Sequence, residues 1–197
     1  MSEYTKKRRP RLSFNSPAVL GFTGACLLAM ALNLLTGGAS NRALFSVYRA
    51  PLSSPLTWLR MVGHVFGHAD WDHLLGNMMF VLLLGPMLEE KYGTPDIALV
   101  MLITALLTGL IHFIFFPGTM LLGASGVVFA MILLSSITRT REGAIPVTFI
   151  LVALLYIGQQ VWQAVTVRAN VSYFTHILGG AIGAALGFAL AGAQRKR

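Results

Sequence analysis

Six long runs without a formal charge constrain this chain more than any other feature. They extend from Pro17 to Thr36, Leu74 to Leu88, Ile97 to Gly118, Gly126 to Thr138, Gly143 to Val167 and Val171 to Ala193. A run of about 20 apolar residues is long enough to cross a hydrocarbon layer of about 30 Å as a helix. In lipid, every backbone N–H and C=O must be satisfied internally, so helices are the expected form. Composition agrees: 55% of residues are hydrophobic and 11% charged, with mean hydropathy +0.70, whereas soluble domains carry about a quarter charged residues. The expected fold is an all-α membrane protein, a six-transmembrane-helix bundle spanning residues 17–193. Its helices are expected near 17–36, 72–90, 96–116, 125–138, 144–165 and 172–193, between basic tails at 1–16 and 194–197.

The net charge of +8 does not point to nucleic acid, because no basic residue lies on an amphipathic face with interleaved aromatics. Lys and Arg cluster instead at the two tails and in one short loop. Eleven of the fifteen fall on one side of the arrangement, leaving Arg42, Arg49, Arg60 and Arg168 on the other. The positive-inside tendency then puts both termini in the cytoplasm, as an even number of spans requires, in a plasma or inner membrane. A basic start before an apolar run also describes a signal peptide, with Gly38-Ala39-Ser40 as small residues for cleavage. This run exceeds the ~7–15 residues of a signal core, so a retained first helix is expected. The aromatic loop from Gly37 to Asp72 is expected partly in the outer interface. Cys26 is the only cysteine, which rules out an intrachain disulfide or a cysteine metal cluster.

Ser125 opens the fourth run between Gly123-Ala124 and Gly126. Taken alone, it reads as a hydroxyl bonded back to its own helix in a small-residue seam. Depth changes the reading. Ser125 lies 14 residues before Arg139, about 21 Å at 1.5 Å per residue, so its helix is too short to span. The Pro117-Gly118-Thr119-Met120 loop must then descend into the membrane to reach it. His176 precedes Arg195 by 19 residues, or about 28 Å, one turn higher. Asn77 precedes Glu89 by 12 residues, about 18 Å, with His73 one turn above it on the same face. Four polar side chains on three parallel-running helices thus converge in the outer half of the membrane.

Ionisable groups at such depth are costly and mark function by default. Gly179, Gly183 and Gly187 recur every fourth residue below His176, and Gly126 and Ala130 do so below Ser125. Such stripes let two backbones approach closely and would bring the imidazole within reach of the serine oxygen. A serine and histidine without an acid suit nucleophilic acyl transfer. The Ser125 N–H at a helix N-terminus, the Asn77 amide and the His73 ring are candidate oxyanion donors.

The ordered set Arg60, His64-x3-His68-x4-His73-x3-Asn77, Gly85-x3-Glu89, Gly123-Ala124-Ser125-Gly126 and His176-x2-Gly179 resembles the rhomboid intramembrane serine proteases from about Leu56 to Gly187. The resemblance implies a rhomboid-like bundle in which Ser125 is the nucleophile and His176 its base, with Asn77 and His73 at the oxyanion positions. His64 and His68 match histidines at the head of helix two. Arg60 and Glu89 match positions stabilising the first loop and the cytoplasmic end of that helix. One residue departs: Phe129 stands where a tyrosine often stacks on the catalytic histidine, and a phenyl ring keeps that surface. The implied substrates are single-pass transmembrane proteins cut near the outer face, within the lipid bilayer and without a cofactor. Entry is expected between helices two and five under a Thr166–Ser172 cover, with water admitted past His64 and His68.

Other readings are weaker. His64, His68, Asp70, Asp72 and His73 have ligand chemistry, but no His-Glu-x2-His motif is present, and the two aspartates are expected to cap helix two. Glu89-Glu90 lacks the arginine of a Glu-Glu-x3-Arg protease. A catalytically inactive rhomboid-like binding or chaperone factor is the alternative of a different class.

Overall fold

The computed structural model describes residues 14–137, 147–152, 154, 155, 158 and 171–194, and the side chains of 171–175 and 191–194 are outside the description. Helices with stated bounds among these residues are α1 (Pro17–Leu35), α2 (Ala39–Ala43), α3 (Pro55–Gly63), α4 (Trp71–Tyr92), α5 (Thr94–Phe115), α6 (Ser125–Ile137) and α7 (Val171–Gln194), and the described residues of 147–158 are helical too. No strand is assigned among them; an isolated bridge pairs Val47 with Leu121. Three helices, α1, α4 and α5, are long and apolar enough to cross a membrane. α6 and the His176–Leu190 part of α7 are shorter apolar helices. The expected fifth helix, 144–165, lies largely outside the described residues, as do both basic tails and the Thr166–Ser172 cover except its helical end at 171–172.

The helices begin and end where local chemistry dictates. Proline at the first turn suits α1, α3 and α5, because its missing N–H would have had no partner there. Asp70 caps α4, its carboxylate accepting the His73 N–H at 2.8 Å. Asp72, expected to share that task, instead sits exposed within the first turn. The loop expected as interfacial folds into the short helices α2 and α3. α3 buries Thr57, Arg60 and Met61 and leaves Leu56, Trp58 and Leu59 exposed.

Packing is built on stripes of the helical period. α5 buries Ile97, Val100, Met101, Thr104, Ala105, Thr108, Gly109 and His112, one face of a 3.6-residue repeat. Its Gly109 lets α3 lie against it, since a Cβ there would collide with the Met61 carbonyl. The core joins α1, α4, α5 and α6 through Val19, Cys26, Leu74, Val81, Leu88, Ile97, Val127 and Leu134. Large apolar side chains such as Leu28, Leu75, Leu83 and Leu102 face outward, as a lipid-facing surface requires.

At one end of the bundle, α4 holds α1. The Glu89 carboxylate accepts the Ala18 and Val19 N–H groups at 2.9 and 3.0 Å and the Thr94 hydroxyl at 2.7 Å. Those N–H groups belong to the first turn of α1, where the helix dipole favours an anion. Ser16, at the cap position, makes no side-chain capping bond.

Candidate active site

The seam between α6 and α7 sets the site. A Cβ on Gly179 would collide with the Gly126 carbonyl and lie 2.8 Å from its Cα. One on Gly183 would meet Ala130 in the same way, and one on Gly187 would lie 3.0 Å from Leu134 and 3.2 Å from Ile137. Each contact pairs residues about 53 apart, so the helices run parallel in constant register with their backbones touching. That register brings Ser125 and His176 together: Oγ and Nε2 lie 2.8 Å apart.

The one-turn height difference expected from residue counts does not separate the pair: in the 53-residue register Ser125 is level with residue 178, two residues beyond His176, and the side chains close that distance.

Phe129, one turn after Ser125 on α6, places its ring centroid 4.6 Å from that of His176 at 44°. A cavity of about 390 Å³ opens beside the pair and is lined by His73, Asn77, Ser125, Phe129 and His176. The four polar residues expected to converge all line this one space. Asn77 is buried, and its Nδ2 makes no hydrogen bond among the described residues. It is a two-proton donor beside the serine.

The approach to Ser125 is held by the histidines before α4. The His64 carbonyl accepts the Gly123 N–H at 2.9 Å. The Thr108 hydroxyl donates to the Thr104 carbonyl at 2.7 Å, so His64 Nε2, 3.3 Å away, is the donor in its contact with that oxygen. His68 Nδ1 lies 3.1 Å from the Phe66 carbonyl and must carry the proton, leaving Nε2 to accept the Ala124 N–H at 3.5 Å. Burial pushes both imidazoles down to about 4, which keeps them neutral and supports this tautomer of His68. The His73 ring packs edge-on to His68 with centroids 5.0 Å apart and lies over Gly123. That glycine has φ +125°, and a Cβ on it would stand 2.7 Å from His73 Cε1, so backbone and ring together require its lack of a side chain.

Arg60 is buried farther out; its Nε donates to the Ala43 carbonyl at 3.0 Å and its guanidinium covers the Tyr48 ring at 4.6 Å. It ties α3 to the segment after α2. Glu89 stands at the opposite end of α4, bonded to α1 and away from the cavity.

His64 and His68 are 1% and 0% exposed, so they do not form the expected water inlet. The exposed residues of the cavity wall are Asp72, Gly76 and Phe80, all on α4. Sequence reasoning did not name Gly76, Phe80, Leu122 or Val128 as lining residues, and it assigned Asp72 to capping. Gly76 and Phe80 share the helical face of His73 and Asn77, and that period was the available signal. Leu122 and Val128 carry none.

The pair can transfer a proton from Ser125 to His176, and the cavity leaves room for a carbonyl beside Asn77. Among the described residues no group of three or more His, Cys, Asp or Glu side chains is placed to hold a metal ion.

The chain is similar in sequence to several known proteins. Rhomboid-related protein 2 of Mus musculus is 31% identical over 157 residues, covering 70% of this chain and 52% of that protein. The rhomboid protease GlpG of Yersinia pestis (strain Pestoides F) is 31% identical over 117 residues, covering 58% and 41%. Rhomboid-like protein 11, chloroplastic, of Arabidopsis thaliana is 27% identical over 116 residues, again covering 58% and 41%. The chain thus spans about half or less of the length of these curated relatives. The model of the rhomboid domain matches residues 55–193, a stretch that takes in α3 to α7 and every residue lining the cavity, and the chain belongs to the rhomboid family.

Proposed function

We propose that this protein is an intramembrane serine endopeptidase that cleaves transmembrane segments of membrane proteins near the outer membrane face. The observation that carries the reading is the 2.8 Å separation of Ser125 Oγ and His176 Nε2 beside a cavity of about 390 Å³. The imidazole takes the hydroxyl proton as Oγ attacks the substrate carbonyl carbon. The resulting oxyanion is met by the Ser125 N–H at the start of α6 and by the Asn77 amide, with His73 beside them. The tetrahedral species collapses with cleavage of the C–N bond, and His176 protonates the departing amine. A water deprotonated by His176 then hydrolyses the acyl-serine.

The substrate class is single-pass membrane protein. An amide inside a helix is shielded, so segments with small or helix-breaking residues unwind into the site most readily. We place both termini in the cytoplasm and the site toward the outer face of a plasma or inner membrane, from the distribution of Lys and Arg. The entry path between the second and fifth spans belongs to this reading and involves residues outside the described set.

A fluorophosphonate probe tests the proposal. Wild type is expected to be labelled at Ser125 and to cleave a transmembrane reporter, with Ser125→Ala inert in both assays. Absence of wild-type labelling and cleavage, or equal labelling of Ser125→Ala, would favour a non-catalytic binding role.

A further inference from the structure

A second cavity, of about 220 Å³, lies between the segment after α2 and the turn joining α5 to α6. It is lined by Arg42, Tyr48, Arg49 and residues 117–120, and shares no lining residue with the Ser125 cavity. Its two arginines are differently prepared. Arg49 is held in place: Nη2 donates to the Ile114 carbonyl at 2.9 Å and the guanidinium covers the Phe113 ring at 5.2 Å. A guanidinium has five N–H donors, so this anchoring leaves others for a ligand. Arg42, in the last turn of α2, is exposed, and its guanidinium has no intramolecular acceptor or ring contact among the described residues.

No carboxylate lines the cavity. From Gly37 to Ala69 the sequence has three arginines and no Asp or Glu, so the positive charge is not balanced locally. Two guanidinium groups facing one small space suit the oxygens of a phosphate, which arginine binds with paired N–H donors. The setting adds an apolar requirement. The turn follows directly on the end of α5, and Ile114, Phe115 and Met120 beside it are 48%, 66% and 46% exposed. A phosphate carrying acyl chains satisfies both parts, with its charge on the arginines and its chains along the outward face of α5.

We propose that Arg42 and Arg49 form a binding site for a phosphate-bearing headgroup, supplied by a membrane phospholipid. The site bears on the catalytic end through one short connection. Val47 and Leu121 exchange backbone hydrogen bonds of 2.9 and 3.0 Å, linking the two walls of the cavity four residues before Ser125. A headgroup held by the two arginines on one wall sits beside that link. The binding proposal is independent of the assignment of protease activity, and its test reads stability alone.

The full chain is placed in nanodiscs of phosphatidylglycerol or of monogalactosyl diacylglycerol, which lacks phosphate, and thermal unfolding is measured. The midpoint is expected to be about 3 °C or more higher in phosphatidylglycerol. Arg42→Gln, which breaks no contact within the fold, is expected to remove at least half of that difference, and Arg42→Lys to retain more of it than Arg42→Gln. Arg42→Gln/Arg49→Gln is expected to abolish it. Inorganic phosphate added to the protein in dodecylmaltoside separates the sources. No shift assigns the site to lipid, whereas a full, Arg42-dependent shift keeps the phosphate site and overturns its lipid supply. An equal lipid response in wild type and Arg42→Gln would overturn the site itself.

Discussion

The two sides of Ser125 are built on opposite principles. Toward α7 the contact is dry and without slack, backbone against backbone at Gly126–Gly179 and Ala130–Gly183. Toward α4 there is a cavity of about 390 Å³ with a buried amide whose Nδ2 has no partner among the described residues. The first side fixes a distance, and the second leaves room and donors for something that arrives later. A polar pair in a membrane becomes useful only when both conditions meet at one residue.

The largest break in this contrast is expected from Gly179→Ala. The added methyl meets the Gly126 backbone, which cannot move aside as a side chain would, and overpacking of this kind costs about 1–3 kcal/mol. Probe labelling of Ser125 is expected to fall by about 100-fold or more as the helices separate. Gly126→Ala, in the same seam, is the control. Its Cβ would stand 3.4 Å from the Thr108 methyl, an ordinary contact, and activity is expected to stay within about threefold. Equal damage from both substitutions would show that the seam is not asymmetric in the way the contacts imply.

On the open side, Asn77→Ala is expected to lower kcat by about 10²–10³ with KM nearly unchanged, because its donor matters only as the oxyanion forms. A change confined to KM would assign the amide to substrate binding instead. Phe129→Ala removes a ring contact worth about 0.5–1.5 kcal/mol, so kcat/KM is expected to fall about 2–10-fold, while Phe129→Tyr stays within about twofold of wild type.

The smallest effect concerns the histidines that frame the approach. Burial holds His64 and His68 down at about 4, against an ordinary 6.5. The unfolded chain takes up these protons below about 6.5 and the folded chain does not until about 4. Their neutral, bonded state is therefore fully supported above pH 7, and stability is lost as pH falls from 6.5 to 4. Thermal unfolding across this range should show the decline, and His68→Gln should make it shallower. A flat profile in wild type would contradict the burial of two neutral imidazoles.

Much of this arrangement was legible in the sequence, for reasons that differ by element. The spans α1 and α5 announce themselves because lipid demands uncharged length. α4 is less apolar, since it carries His73, Asn77 and Glu89, and the spacing of those residues located the polar face. The glycine stripes carried the closeness of α6 and α7. Their register was not readable from the charges, because residue counts to Arg139 and Arg195 fix no contact between the two helices. α2 and α3 were missed because a five-residue and a nine-residue helix are held by tertiary contacts such as Gly109 on Met61 and Arg60 on Tyr48. Neither leaves a long periodic trace. The two roles expected of Asp70 and Asp72 separate on a single step along the chain: one carboxylate reaches the N–H of His73, and the other faces the cavity.

The Glu89 clasp on the first turn of α1 also decides what counts as one folding unit. The rhomboid match begins at residue 55, yet the carboxylate it contains finds two of its three hydrogen-bond donors at Ala18 and Val19, and Gly85 admits Val19 where a Cβ would not fit. Cutting the chain down to the matched residues would leave a carboxylate without two of its three donors and a socket without its plug. The first helix is therefore the missing half of a joint, and a minimal folded fragment is expected to include α1.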